Sequence, residues 1–489
     1  MTTKHLLFVL PLIFIGLHVH AQEQLGLRLS NYSGINSTVL NPAYHSTTPF
    51  RWDVNLAEGA LHFYNNYAYL KDTRVPTLIK QRASLEFALA DDFQEGNTPG
   101  PNTVVVDFYN FNRSRNVYTL ASVMGPSFYL RLGERHTVGL VTRARVVASA
   151  RGIDNGLSYY QYDPKPFFQD INVSPFRGAT ASWSEIGFNY AYSQPTNNGT
   201  ISFGTTIKAL QAYEGGYIRN EDRFLLQKLP NDSLAASAVN FSYAYSGTSL
   251  EGEKYTLPKN GNGLAIDLGF TYTIEGNSYA LYDWKFGAAL LDLGQLTFKE
   301  NARAHQISVE DPVAIATEAY QNIQGFEDAE SYIEYFSFQV LNDSTASTTG
   351  DAFSIGLPAA FSLQASKSIG SYGYLDAAFV QGFPLGDAAL QRGSMLSVVP
   401  RFEHRWFEAA LPLTVYDWST ARVGLAVRLA FLTIGTDHLG SFVTDSDLYG
   451  SDLYFAIKLN PFSIGRGGEG RGTRRVGSRK GGKVKCYEF

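Results

Sequence analysis

The sequence predicts an all-β protein: a transmembrane antiparallel β-barrel of about 14 strands, with an N-terminal plug and a short helical insertion in a long loop. Three observations carry that expectation. From residue 127 onward, apolar residues alternate with small, polar or charged ones over nine to twelve positions before each turn, which is the period of a strand. These runs approach the roughly nine to eleven residues a tilted strand needs to cross a bilayer, whereas strands of soluble sheets usually have about five or six. The connections alternate between tight turns and extended segments, as in outer-membrane barrels.

Composition agrees. The 489 residues include 33 Phe, 30 Tyr and 5 Trp against 3 Met, so β-forming aromatics abound while the adaptable helix-core residue is scarce. Hydrophobic residues make up 44% and are evenly spread, and no apolar run beyond the first twenty positions approaches the roughly 20 residues of a spanning helix. The single cysteine, Cys486, excludes intramolecular disulfides, so stability must come from sheet pairing and packing.

Residues 1–21 read as a secretory signal: Lys4, an apolar run from Leu6 to Leu17, then Val19-His20-Ala21, which puts the start of the mature chain at Gln22. Residues 22–49 contain Gly34 to Tyr44, where Pro42 and its neighbours forbid a regular strand. Irregular backbone at membrane depth survives only when protein encloses it, so this segment is expected as a plug in the lumen.

The barrel itself is expected over residues 50–464. In Ser184–Ser193, Ile186, Phe188, Tyr190 and Tyr192 point one way while Glu185, Gly187, Asn189 and Ala191 point the other. In 264–274, Leu264, Ile266, Leu268, Phe270, Tyr272 and Ile274 alternate with Ala265, Asp267, Gly269, Thr271 and Thr273. Tyr190, Tyr192, Tyr272, Tyr282 and Trp284 near strand ends suggest aromatic girdles. Short turns are expected at 133–135, 194–199, 275–278, 368–371 and 404–407, and long connections at 151–182, 214–261, 292–352 and 384–393. Within the third of these, Asp311 as cap, Pro312 at the first helical position, and Ile315, Ala319, Tyr320 and Ile323 at helical spacing predict the inserted helix.

Residues 465–489 form a basic, Gly-rich tail: eight cations against Glu469 and Glu488, on a chain whose overall net charge is −5. Its apolar content is too low to fold alone. An exported chain meets no nucleic acid, so Arg474, Arg475, Arg479, Lys480, Lys483, Lys485, Cys486 and Phe489 are expected to dock an envelope partner, with both termini in the periplasm.

Asn41-Pro42-Ala43, the stretch from Gly125 to His136 and the ending Asp452 to Leu459 resemble an uncharacterised family of Bacteroidota outer-membrane barrels. That family is similar in broad architecture to the long-chain fatty-acid transporter barrels and to barrel subunits of type IX secretion and gliding motility. In the transporter group the Asn-Pro-Ala segment belongs to an N-terminal hatch, and the resemblance carries that role to Asn41, Pro42 and Ala43.

The inward faces are expected to hold Arg131, Arg143, Arg145, Glu185, Lys208, Asp267, Asp283, Lys285, Arg401, Glu403, Arg428 and Lys458 as a network of ion pairs that rigidifies the barrel around its plug. Asp267 and Asp283 invite comparison with a hydrolytic carboxylate pair, but Lys285 beside them favours a salt bridge. Asp445, Asp447, Gly450 and Asp452 resemble the start of a calcium loop, yet Tyr449 and Ala456 occupy positions that need oxygen ligands. The sequence has no phosphate loop, nucleophile elbow or His-Glu-x-x-His, and no cofactor, metal site or catalysis is expected. The expected role is a non-enzymatic scaffold or adaptor subunit of an envelope or secretion assembly, in contact with outer-membrane lipid. The alternative is a hatch-gated transporter of hydrophobic small molecules.

Overall fold

Strand periodicity is realised as a closed wall of 14 antiparallel strands in the computed structural model, which describes residues 23–82, 84–93, 99–100, 102–231, 233–247, 257–276, 280–316 and 329–461. In chain order these are β1 (Trp52–Asn65), β2 (Arg115–Met124 and Ser127–Leu132), β3 (His136–Ile153), β4 (Phe176–Pro195), β5 (Gly199–Asn220), β6 (Val239–Ser246 and Gly261–Ile274) and β7 (Trp284–Phe298 and Ala302–Val309). They continue as β8 (Phe353–Gly356 and Ala360–Ile369), β9 (Gly373–Gly382), β10 (Met395–Glu403), β11 (Phe407–Ala410 and Leu413–Tyr416), β12 (Thr420–Val423 and Leu425–Leu429), β13 (Leu432–Thr436) and β14 (Gly450–Leu459). Closure comes from β14 pairing back onto β1, from Val54 opposite Leu459 to Tyr64 opposite Gly450. No sheet edge is left open in the wall, which is what a bilayer demands of strands.

Side chains follow the expected alternation. Ile186, Phe188 and Phe203 face outward, as does Leu264 at 70% exposure, while Glu185, Asn189, Thr206 and Asp267 on the same strands are buried inside. An apolar exterior around a polar interior is stable only where lipid replaces water outside. Tyr282 departs from the girdle expectation: it is fully buried, its hydroxyl shares a hydrogen bond with Ser366, and its ring lies 5.5 Å from Tyr374.

One end of the wall carries short turns and the other long connections, apart from the tight turn Asp417–Ser419. At the long-loop end two small sheets stand clear of the wall. One joins Val313–Ala316, Ser233–Ala236, Phe224–Leu229 and Asp170–Val173; the other joins Ser446–Leu448, Ala68–Thr73, Thr103–Phe108 and Glu86–Leu89. The first corrects the helix expectation. Val313 and Ile315 belong to a strand paired with Ser233–Ala236, because an available sheet edge outweighs helical spacing in so short a stretch. The helix in this connection is Ala329–Leu341, and Ala319, Tyr320 and Ile323 lie outside the described residues. The signal residues 1–21 and the tail 465–489 also lie outside them, including Arg474, Arg475, Arg479, Lys480, Lys483, Lys485, Cys486 and Phe489.

Residues 23–48 run inside the barrel and join no sheet. The described segment begins beside β13, where Leu25 N donates to Asp437 at 3.2 Å, and descends to the short-turn end at Asn31 and Tyr32. It then crosses the lumen through Asn36 to Pro42 and leaves past Thr48 into β1. Backbone groups that a strand would pair with neighbours are satisfied here by single turns, such as Asn36 N to Ser33 O, Leu40 N to Ser37 O and Tyr44 N to Asn41 O.

Candidate functional site: the charged lumen and its inner segment

The interior is layered. Nearest the short-turn end, Arg401 pairs with Asp376 at 2.9 Å and with Glu403, and Arg428 pairs with Glu408 at 3.0 Å. Lys458 pairs with Asp53 at 3.1 Å and donates to the carbonyls of Tyr32 and Ser33. Lys285 sits 3.8 Å above the Tyr44 ring and donates to Asn31 at 3.2 Å. These wall charges therefore hold the inner segment directly. Gly34, with φ of +57°, lets the chain turn beside Asp53, whose carboxylate accepts from Ile35 N at 3.1 Å.

Asn41-Pro42-Ala43 occupies the middle of the lumen. The Asn41 amide donates to Phe270 O at 3.0 Å and to Gln364 Oε1 at 2.9 Å, and its own oxygen accepts from Ala43 N at 2.9 Å. Asn189 donates to Pro42 O at 3.2 Å. The wall opposite is hollowed by glycines: a Cβ at Gly204 would lie 2.6 Å from Ala43 N, and one at Gly269 would lie 2.7 Å from Pro42 Cδ. Wall and inner segment are thus shaped to each other backbone to backbone.

The next layer is a balanced ionic cluster. Arg145 grips Asp292 with two bonds of 2.8 Å and Glu185 with one of 2.7 Å, and Arg143 stands 3.9 Å from Glu185. Lys208 bridges Asp267 and Asp292 at 2.7 Å each. Arg392 reaches Asp292 at 4.0 Å and Glu23 at 3.2 Å, and Arg28 continues to Glu23 and to Glu58. Five cations face five carboxylates, all nearly water-free. Such a cluster costs desolvation but fixes geometry. A cavity of about 10 Å³ beside it has room for one water.

Beyond the charges, toward the long-loop end, the lumen becomes apolar. Trp183, Leu210, Leu296, Phe298 and Ile355 are buried in one cluster. Leu390 joins them from the connection between β9 and β10, which folds inward over the rim and ties to β8 through Gly356 N to Ala388 O at 2.8 Å and Leu390 N to Gly356 O at 2.9 Å.

Of the twelve lumen charges expected from alternation, Arg143, Arg145, Glu185, Lys208 and Asp267 meet in the central cluster. Lys285, Arg401, Glu403, Arg428 and Lys458 lie in the layer nearest the short turns. Arg131 holds the carbonyls of Ser46 and Thr48 instead of a carboxylate. Asp283 is a correction. It precedes β7 at the short-turn rim, partly exposed, where it pairs with Lys367, and it is neither across a cleft from Asp267 nor bonded to Lys285. The acidic loop does not gather either: Asp445 pairs with Arg74 at 3.1 Å, while Asp452 points inward to Thr436. In the connection between β3 and β4, Tyr159 stacks on Phe108 at 4.5 Å and Tyr160 donates to Asp107, whereas Phe167 and Phe168 remain exposed.

Alternation missed Asp292, the hub. Leu291 and Asp292 are both buried because β7 bulges opposite Ile266–Leu268, with Asp292 at φ +54°. Glu23, Arg28 and Arg392 were missed because they lie outside the wall strands, and Glu58 and Asp376 because their strands carry weaker alternation.

A closed antiparallel wall with an apolar skin and a charged interior defines an outer-membrane β-barrel. Residues 42–437 match the family of unknown function DUF5723, and the chain belongs to that family. Among solved structures it is similar to the toluene transporter TbuX of Ralstonia pickettii, at 12% identity and TM-score 0.38 over 87% of this chain and 94% of that one. It is similar to a mutant of the monoaromatic hydrocarbon channel TodX, at 11% identity and TM-score 0.38 over the same shares. A Pseudomonas aeruginosa FadL homologue is also similar, at 7% identity and TM-score 0.22 over 90% of this chain and 97% of that one. No curated protein matches the sequence.

Proposed function

We propose that the protein is a hatch-gated transporter of hydrophobic small molecules across the outer membrane, with residues 23–48 as the hatch and the short-turn end in the periplasm. The observation that carries this is the apolar layer of Trp183, Leu210, Leu296, Phe298 and Ile355 inside the lumen. A water-filled pore has no use for such a layer, whereas an apolar solute gains by leaving water for it. The hatch is joined to the wall by side-chain bonds and by one covalent connection at β1, so it can withdraw without unpairing the sheet. The scaffold reading rested on an occluded lumen, mixed interior charges and the basic tail, and the tail lies outside the described residues.

Flux measurements test the proposal. Vesicles carrying the protein should take up toluene faster than empty vesicles and should exclude glucose. Equal toluene flux with and without the protein, or rapid glucose flux, would falsify it.

A further inference from the structure

The connection between β9 and β10 is unusual in facing two environments. Asp387 lies at the surface, its side chain 90% exposed and 3.5 Å from Arg219. Three residues further on, Leu390 is fully buried in the apolar layer. The loop makes a single isolated parallel bridge, Ala389 opposite Gly356. It is held by the two backbone bonds to Gly356, by Phe383 N to Ala359 O at 3.0 Å and Asp417 N to Ser394 O at 2.7 Å at its two ends, by Gln391 N donating to Ser149 Oγ across the lumen at 2.8 Å, by Arg219 on Asp387, and by Arg392 on Glu23 and Asp292. A leucine placed among Trp183, Leu210, Leu296, Phe298 and Ile355 fills the space a guest molecule would take.

We propose that this layer is a binding site for a compact, uncharged apolar molecule, about one hydrocarbon ring in size, and that residues 383–394 occupy it with Leu390 until the guest displaces them. The proposal rests on the transport reading and deepens it. The size follows from the occupant: the Leu390 isobutyl group with Ala389 beside it has roughly the bulk of one ring, while the ionic cluster at Asp292 closes the floor against a longer chain. Charged or hydrogen-bonding guests are excluded, because a polar group loses its water in an apolar layer and finds no partner there. Arg392 gives the displacement a second effect. When the loop leaves, Glu23 loses its nearest cation, so loop withdrawal loosens the first residue of the hatch.

The test ties the loop in place. Ser149→Cys with Gln391→Cys, in a Cys486→Ser background, puts a disulfide between β3 and the loop. Equilibrium binding of radiolabelled toluene to the purified barrel is measured oxidised and reduced. The reduced protein is expected to bind saturably, and oxidation is expected to weaken binding at least ten-fold. Equal binding in both states overturns the proposed site while leaving transport intact. Flux without any saturable binding overturns the site as well, and loss of both toluene flux and binding in the wild-type protein removes the transport reading itself. Should the tied variant fail to fold, Leu390→Ala and Leu390→Trp replace it. Alanine is expected to tighten toluene binding and tryptophan to weaken it, and identical affinities overturn the site.

Discussion

Replacing Asp292 by Asn keeps the side chain's shape and removes one charge from a cluster in which five cations face five carboxylates. Arg145 and Lys208, held to Asp292 at 2.8 and 2.7 Å, are then left with a net positive charge in a nearly dry interior. Breaking a buried pair in this way costs about 3–5 kcal/mol; the amide still accepts one bond, so about 3 kcal/mol is expected for Asp292→Asn. Lys208→Gln alone should cost a similar amount by stranding Asp267, whose ion-pair partner is Lys208. The double variant restores neutrality and should fall short of the summed losses by about 1–3 kcal/mol. The assay is urea unfolding and refolding in lipid vesicles, followed by tryptophan emission. An exposed pair, Arg303 with Asp351, serves as control and should be worth no more than about 1 kcal/mol. If Asp292→Asn costs no more than that control, or if the double variant equals the sum, the cluster is solvated and the account of a dry, charge-balanced lumen is wrong.

Three further outcomes are expected. Gly204→Ala places a methyl group against Pro42 and Ala43, so the hatch should shift and single-channel recordings should show openings absent from the wild type; silent channels in both would mean that the fit does not control the pore. Leu264→Arg on the outward face should cost about 2–4 kcal/mol in vesicles if this residue lies near the bilayer midplane, and no loss would mean that the face does not meet lipid. In the loop sheet, burial first, and then the carboxylates of Asp72 and Asp107, raise the pKa of Asp447. A raised carboxylate favours folding when protonated, so local protection of Ser446–Leu448 from hydrogen exchange should fall as pH rises from the ordinary aspartate range through the raised value, and Asp447→Asn should abolish that dependence.

The wall was legible in the sequence wherever alternation was uninterrupted. Leu264 to Ile274 and Ser184 to Ser193 announced both faces, and with them Glu185 and Asp267, because a strand sends every second side chain inward. What broke that parity was invisible. The β7 bulge places Leu291 and Asp292 on the same side, and nothing in Leu-Leu-Asp-Leu-Gly marks it. Pairings set by tertiary contact were equally hidden. Asp283 and Lys285 are two apart on an expected strand, yet one meets Lys367 at the rim and the other meets Tyr44 inside. Ile315 was expected at helical spacing with Ala319, Tyr320 and Ile323, but it is claimed by a strand edge more than seventy residues earlier in the chain.

The wall is also uneven in height. β4 and β5 have 20 and 22 residues, whereas β9 has 10 and β13 has 5. At a rise of about 3.3 Å per residue and a tilt near 40°, β4 and β5 reach about 50 Å along the barrel axis and β9 about 25 Å, close to the thickness of the lipid-facing band. The rim therefore slopes like a jug with one lip, and the inward-folded loop lies at that lip. Under the proposed transport role, a molecule arriving at the long-loop end would meet a parapet on one flank and a low sill on the other, and its entry would be funnelled toward one short arc of the circumference.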